Sequence, residues 1–294
     1  MERNGKSFKG KLMIKNRKNF LYITFCIIVA FFFTSFIEIG GEIKFRYSSN
    51  LVLRTCVDSD LEKINKFFFF KKLNIQQLKS ENLDMIANEN LKELVIMTST
   101  NNDAYMNLKK FSKLESFYSV GLDFNDLSYF SSMDKLKKLY LGFGYANNRI
   151  KSSDFFEKLP FSLEHVCFNG LENTEYLNFS ELKNLETLYL SNSSLTSLYI
   201  DNSKLEGISL SNNSIISHLD ISSNTINLKK IYIDDCPKLV LDIDELGKLE
   251  SLQYIFINDD LLTEKEIQKL SNIGIEVDYE PYIRGSDNIE KKNG

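Results

Sequence analysis

Tryptophan is absent from this 294-residue chain, and the residue types that most often build metal, redox and catalytic sites are scarce. The two histidines and four cysteines are His165, His218, Cys26, Cys56, Cys167 and Cys236. The cysteines are widely separated, with no CxxC pair and no Cys/His cluster at zinc-ligand spacing. We therefore predict no disulfide framework, no metal site and no cofactor.

The nearest approach to a catalytic constellation is His165, Cys167 and Asn169, because these residue types occur together in thiol proteases. Side chains two residues apart on one strand stand about 6.6 Å apart, which is beyond hydrogen-bond reach. Apart from the repeats described below, no stretch is long enough to form a catalytic domain. The prediction is that this chain is not an enzyme and that the three residues are a plain surface group.

Carboxylates are concentrated near the C-terminal end of the repeats. They are Asp234, Asp235, Asp242, Asp244, Asp259 and Asp260. Calcium requires several oxygens that converge in one loop, and no EF-hand or RTX-type loop is present in the sequence. We interpret these residues as a solvated acidic edge.

An apolar run without a charged side chain occupies residues 20–37 and follows a basic segment at 1–19. Its length is at the lower edge for a transmembrane helix and above that of a usual signal-peptide core. We predict a transmembrane anchor, with the basic segment in the cytoplasm and the remaining chain outside. The alternatives are a cleaved signal peptide, which would release a secreted or periplasmic protein, and a buried core helix.

Charge is unevenly distributed along the chain. The first 38 residues carry seven basic and two acidic side chains, whereas the remainder carries a net charge of −9. Because phosphate binding requires a basic face, this acidic remainder argues against a nucleic-acid partner.

One six-residue pattern occurs eight times between residues 91 and 257, with apolar residues at its first, fourth and sixth positions. Of these 24 positions 23 are apolar, against roughly 10 expected from the composition, and the exception is Ser119. The pattern recurs every 20–27 residues, which is typical of one strand per repeat in a curved stack. Its first residues are Leu91, Leu114, Leu136, Leu163, Leu185, Leu205, Leu228 and Leu252.

These repeats resemble the leucine-rich repeat family, in particular the roughly 22-residue repeats of exported bacterial proteins such as the internalins. The resemblance covers about residues 91–279 and is most marked over 185–235. It implies an α/β solenoid, a horseshoe of about eight repeats with a parallel β-sheet on its concave face and a cap at each end. It also implies a recognition scaffold for proteins or glycans.

The ninth position of each repeat departs from the family pattern, which favours Asn or Cys. The residues there are Ser99, Leu122, Gly144, Leu171, Ser193, Asn213, Cys236 and Asp260. We therefore expect a thin polar ladder inside the stack, and we interpret Cys236 as a buried structural residue.

A second apolar row begins after Leu185, halfway between the strands of the main pattern. It consists of Leu195, Leu198 and Ile200, then Ile216, Leu219 and Ile221, then Leu239, Leu241 and Ile243. This row predicts that the convex side is also extended in this part of the chain.

The repeats at 91–260 need covers, because the open ends of a solenoid would otherwise expose apolar side chains to water. Residues 41–90 are the predicted N-terminal cap, with a strand at Ile43, Phe45 and Tyr47 that pairs with 51–53. A helix follows, opened by a capping box of Ser59 and Glu62. Whether residues 64–72 form a ninth repeat is left open.

Residues 261–279 are the predicted C-terminal cap. Thr263 and Glu266 form a capping box, Leu270 lies on the packed helical face with two isoleucines, and Gly274 ends the helix. A strand to Tyr279 follows. Residues 280–294 are a polar tail that we expect to be disordered.

The residue between the two apolar positions of each strand points to the concave surface, because side chains alternate along a strand. In order, these residues are Val95, Tyr118, Tyr140, Cys167, Tyr189, Ser209, Tyr232 and Phe256. Five of the eight are aromatic, whereas roughly one is expected at an aromatic content of 13%.

We predict that the aromatic side chains of this surface bind a protein or glycan partner, because tyrosine gives stiff, amphipathic contact area. The predicted residues are Tyr118, Tyr140, Tyr189, Tyr232, Phe256 and the neighbouring Tyr254. The alternative is that these rings pair across strands merely to stabilise the sheet, in a structural or assembly protein of the cell envelope without a specific ligand.

Overall fold

The computed structural model describes residues 36–39, 41–45, 48–67, 70–79, 85–102, 108–122, 130–142, 150–151, 159–172, 174–257 and 261–279. The basic segment, most of the apolar run and the polar tail lie outside the described residues. Within the part that is described, no helix is long and apolar enough to cross a membrane. The last two residues of the apolar run, Phe36 and Ile37, belong to a strand.

Eleven parallel strands form the main sheet, and their order across the sheet follows their order along the chain. Numbered in chain order among the described strands, they are β3 (Asn50–Leu53), β4 (Lys72–Leu78), β5 (Glu93–Asn102), β6 (Ser116–Leu122), β7 (Lys138–Gly142), β9 (His165–Asn169), β12 (Thr187–Ser191), β14 (Gly207–Ser211), β16 (Lys230–Asp234), β17 (Tyr254–Ile257) and β18 (Glu276–Tyr279). This arrangement confirms the leucine-rich-repeat solenoid that the repeat pattern predicts.

The connections between these strands carry smaller elements. Among the described residues, β11 (Tyr176–Asn178), β13 (Ser197–Ile200) and β15 (His218–Ile221) lie on the opposite, convex side. The connections also contain the paired strands β8 (Ile150–Lys151) and β10 (Leu171–Glu172) and a 3₁₀ helix at Leu108–Lys110. Strands β11, β13 and β15 form a parallel three-stranded sheet, which confirms the first two members of the second apolar row.

The prediction that the third member of that row, Leu239, Leu241 and Ile243, is also extended is wrong. Val240 makes a single bridge to His218, and the chain then enters the helix α2 (Ile243–Leu246). The cause is Asp242, whose Oδ1 accepts hydrogen bonds from the amides of Asp244 at 2.9 Å and Glu245 at 3.1 Å. Such an N-cap satisfies amides at a helix start and therefore favours helix over strand.

The N-terminal cap differs from the expected pairing. Strand β1 (Phe36–Ile39) forms an antiparallel hairpin with β2 (Glu42–Phe45), and Gly41 lies in the turn with φ +73°. Strand β3 pairs with β4 instead of β2, so the predicted pairing of Ile43 and Phe45 with 51–53 is wrong, and Tyr47 lies outside the described residues. A left-handed glycine favours a tight turn between adjacent strands, which explains the local pairing.

The first helix, α1 (Asp58–Ile64), also begins differently from the predicted capping box. The Val57 amide donates to Asp60 Oδ2 at 3.2 Å, so Asp60, rather than Glu62, closes the turn.

The parallel sheet extends beyond the eight strands that the leucine pattern identifies. Leu51 and Leu53 align with Leu73 and Ile75. These two residues in turn align with residues of β5, the first strand that the leucine pattern identifies. The repeat near residues 64–72 therefore begins at Phe70. Phenylalanine at the first position hides it from a leucine-based search.

The core consists of the apolar positions of successive repeats stacked in register. Leu190, Leu210 and Ile233 are aligned across three strands, and each is completely buried. Ser119, the one polar residue of the pattern, is also buried, and its Oγ has no hydrogen-bond partner among the described residues.

Two polar ladders run inside the stack at its corners. At the ninth repeat position, Asn213 Nδ2 donates to the Leu190 carbonyl at 3.0 Å, and Asn213 Oδ1 accepts from the Ser193 amide at 3.0 Å. The second ladder was not predicted from the sequence. In it, the Asn202 amide donates to Thr225 Oγ1 at 3.3 Å. Buried backbone groups at the turns require such partners.

The C-terminal helix α3 (Glu264–Asn272) has the predicted capping box. The Thr263 amide donates to Glu266 Oε2 at 2.8 Å, and the Glu266 amide donates to Thr263 Oγ1 at 3.4 Å. Leu270 is completely buried, but Ile273, expected on the same face, follows the helix and is 54% exposed. Gly274 lies in the left-handed region at φ +91°, and β18 then joins the main sheet.

The inward and outward assignment predicts a contrast in stability. Leu210→Ala leaves a cavity among aligned leucines and isoleucines and should lower the free energy of unfolding by about 2–5 kcal/mol. Tyr189→Ser changes a half-exposed side chain on the concave surface and should cost well under that. Urea unfolding of both variants measures the difference, and equal losses would mean that the strand register is displaced by one residue.

Candidate functional site

The concave surface carries one continuous row of side chains across the main sheet. Strand pairing places the eight residues from Val95 to Phe256 opposite one another in successive strands, as predicted. The flanking residues on each strand are buried, so the row rests on the apolar core. Asn74 and Val52 extend the row at one end, and Asp278 extends it at the other.

Tyr118 and Tyr140 form a stacked pair on adjacent strands. Their ring centroids are 3.9 Å apart and the rings are inclined by 11°. Burial raises the pKa of Tyr140, and a hydrogen bond to the Tyr118 hydroxyl raises it further. The Tyr140 ring lies against Gly142, where an added Cβ would come within 2.9 Å of Tyr140 Cε1. This pair therefore packs on the sheet and on a glycine, as the alternative interpretation expects.

Tyr232, Tyr254 and Phe256 form a second aromatic group near the C-terminal end. The Tyr232 ring centroid lies 5.6 Å from that of Tyr254 and 6.3 Å from that of Phe256. The Tyr254 hydroxyl donates to Asp278 Oδ2 at 2.7 Å, and this hydrogen bond raises the pKa of Tyr254 to about 12. The hydrogen bond holds the Tyr254 side chain beside the row.

Tyr189 lies alone between the two aromatic groups, because its neighbours in the row are Cys167 and Ser209. Tyr189 is 37% exposed and Tyr232 is 38% exposed. Tyr118, Tyr140 and Phe256 are less accessible than these two. The predicted site is thus divided into a stacked pair, a single ring and a cluster. Its most accessible rings are two strands apart, or about 10 Å.

A ladder of ion pairs runs beside the row, where the strands begin. Three bridges between consecutive repeats are Lys72–Glu93 at 2.8 Å, Lys137–Glu164 at 2.6 Å and Lys229–Glu206 at 3.1 Å, and a fourth joins Lys92 and Glu115. This ladder was not predicted from the sequence, although its signal is a charged residue after most first-position leucines. These exposed pairs add little stability but set the charge pattern of the surface.

The structure separates the functional groups of His165, Cys167 and Asn169. His165 Nδ1 lies 2.8 Å from Thr187 Oγ1, and Asn169 Oδ1 accepts from Asn192 Nδ2 at 2.9 Å. Burial raises the pKa of the Cys167 thiol to about 12, so the reactive thiolate is scarce near neutral pH. Among the described residues, no three His, Cys, Asp or Glu side chains are grouped to hold a metal ion.

The Tyr254–Asp278 contact predicts a titration. Because a carboxylate disfavours a neighbouring phenolate, Asp278→Asn should lower the pKa of Tyr254 from about 12 towards the usual value of about 10. The contribution of this contact to stability is fully present below about pH 10 and is lost as pH rises through about 12. Titration of the tyrosine Cζ resonance measures the pKa. Asp220→Asn on the convex side is the control and should leave it unchanged.

No protein-family model matches the sequence, and no curated protein matches it in sequence. A solved leucine-rich-repeat protein of Leptospira interrogans is 16% identical over 78% of this chain and 69% of its own, with a TM-score of 0.43. An internalin of Listeria monocytogenes is 13% identical over 83% and 86%, with a TM-score of 0.41. The functional domain of InlJ from Listeria monocytogenes is 13% identical over 78% and 63%, with a TM-score of 0.44. By its own repeats and concave parallel sheet, the chain has the fold of a leucine-rich-repeat solenoid.

Proposed function

We propose that this chain is a non-enzymatic binding scaffold that recognises a protein partner through the concave face of its repeats. The observation that carries the proposal is the exposure of Tyr189 and Tyr232 on a surface whose alternate residues are buried. Apolar rings held in water on a rigid sheet are typical of protein interfaces, because they lose little entropy when a partner covers them.

The two exposed rings, together with Tyr254 and Phe256, are the proposed contact residues of this face. The sheet that holds them is built from in-register strands, so the contact residues are positioned before binding. Preorganisation of this kind lowers the entropic cost of association. A glycan is the second ligand class, since exposed tyrosine rings also offer flat apolar faces.

A structural role in the cell envelope is the second candidate function. It is favoured by the Tyr118–Tyr140 pair, whose stacking and contact with Gly142 serve the sheet itself. Under this alternative, the solenoid spaces or assembles other components and the aromatic row has no specific ligand.

Photo-crosslinking in cells tests the binding face. A photoreactive phenylalanine at Ser209, between the two exposed rings, should give a discrete adduct with the partner. The Tyr189→Ser/Tyr232→Ser double variant should reduce that adduct at least tenfold, because interface tyrosines contribute strongly to affinity. Tyr176→Ser is the matched control, since Tyr176 is 55% exposed on the convex sheet. An unchanged adduct, or a double variant whose melting temperature falls by many degrees without loss of any adduct, would favour the structural role.

We also propose that the chain is exported and held at a membrane by the part of the apolar run at 20–37 that precedes β1, with the repeats outside the cytoplasm. Support comes from the uncharged apolar run and its basic flank, which is the usual orientation signal. Release by cleavage into the periplasm or medium is the alternative.

Membrane fractionation distinguishes these locations. The full-length chain should remain with membranes after carbonate washing, and protease added from outside should reach residues 39–294. N-terminal sequencing completes the measurement: a mature protein that begins between about residues 31 and 42 would contradict the anchor and support cleavage.

A further inference from the structure

The convex three-stranded sheet ends abruptly at β15. Whereas the main sheet continues through β16, β17 and β18, the convex sheet gains only the single Val240 bridge before α2 begins. The apolar residues of the preceding convex strand, Leu198 and Ile200, are completely buried. Their counterparts in β15, Leu219 and Ile221, are partly exposed. The last convex strand therefore lacks the cover that its neighbours receive.

The backbone of β15 is also open on this side. The His218 and Ser222 amides donate to the Thr196 and Ile200 carbonyls of the β13 side at 3.3 and 2.8 Å. In a parallel sheet, each residue directs its N–H and C=O groups to the same neighbouring strand. Successive residues alternate between the two neighbouring strands. The backbone groups of Ile221 therefore face away from β13. Beyond the bridge at Val240, no described strand lies there to pair with them.

A groove of about 460 Å³ occupies the space beside this edge. Leu219, Ile221, Leu241 and Leu246 contribute apolar surface to its lining, and Tyr199 contributes an aromatic ring. Its volume falls within the range of ligand-binding pockets.

The polar lining of the groove is acidic. Asp220, Asp242 and Glu245 supply three carboxylates, and Lys248 supplies one ammonium group. Lys248 Nζ is bound to Glu245 Oε1 at 2.6 Å, so the ammonium group is already neutralised by a carboxylate of the same lining. An occupant of this groove is therefore expected to carry positive charge.

We propose that this groove binds an extended peptide segment of a partner protein, which pairs with β15 as a fourth convex strand and places a lysine or arginine side chain beside Asp220. Strand addition at an open sheet edge uses backbone hydrogen bonds for affinity and alternate side chains for specificity. Here the open Ile221 backbone supplies the hydrogen bonds, and the apolar, acidic lining supplies the side-chain specificity. A second copy of β15 is disfavoured, because it would bring Asp220 close to its own counterpart. The site is on the convex side and does not depend on the concave binding face.

The test uses a fluorescent pentapeptide, acetyl-Val-Lys-Val-Lys-Val-amide, and the full-length chain in mild detergent. Anisotropy should report saturable binding of this peptide, and the matched peptide with glutamate in place of lysine should not bind. Asp220→Lys should weaken binding at least tenfold. Ser223→Trp, at an exposed groove residue, should abolish binding by filling the space. Glu181→Lys, at an exposed site outside the groove, and Tyr189→Ser, on the concave face, are controls that should leave binding unchanged.

Amide hydrogen exchange shows where the peptide lies. On addition of the lysine peptide, exchange at the Ile221 amide should slow at least tenfold, whereas the Asp220 amide, which already faces β13, should change little. The proposal is overturned if the lysine peptide does not bind at millimolar concentration, if the glutamate peptide binds equally well, or if the Asp220 and Ser223 variants bind as the unmodified chain does. Loss of concave binding in the Tyr189 variant leaves this result unaffected, so the two sites are tested separately.

Discussion

Register between neighbouring parallel strands is the constraint on which every other feature of this solenoid depends. Each strand buries alternate side chains, nearly all of them apolar, and these align with the buried side chains of the strands before and after it. Leu188 lies between Val166 and Ile208 in this way. A displacement of one residue would turn leucines to water and tyrosines to the core, because side chains alternate with a period of two. The row of concave side chains and the stacked core are therefore two outcomes of the same alignment.

The corners of the stack are held by a different interaction. Chain reversal inside a protein leaves amides and carbonyls without strand partners, and a few short polar side chains supply those partners. Asn213 binds the preceding repeat at two points, since it donates to Leu190 and accepts from Ser193. The adjacent residues Asn192, Asn212 and Asp235 adopt φ values near +50°, a conformation that asparagine and aspartate tolerate. The preference for Asn and Ser in the connections thus has both a hydrogen-bonding and a conformational cause.

Residues that repeat with a fixed period were predictable, and residues that interrupt the period were not. The main-sheet strands from β5 to β17 follow directly from the leucine pattern, and the concave row follows from them because register fixes which residues align. The repeat that begins at Phe70 was left open because its first residue is not leucine. The convex sheet ends where the Asp242 side chain caps α2. This cap favours a helix, although two apolar residues beside it continue the strand pattern. The division of the aromatic row depends on side-chain packing, such as Tyr140 on Gly142, which periodicity does not encode.

The two ends of the solenoid have a consequence for its lifetime. An interior repeat is held by neighbours on both sides, whereas an end repeat has only one, so local opening is expected to begin at the termini and propagate inwards. The hairpin of β1 and β2 covers one end, and α3 with β18 covers the other. Resistance to proteases in the surroundings would then be governed by these small covers more than by the large core. The Thr263–Glu266 capping box stabilises the start of α3, and it thereby slows opening of the C-terminal half of the sheet.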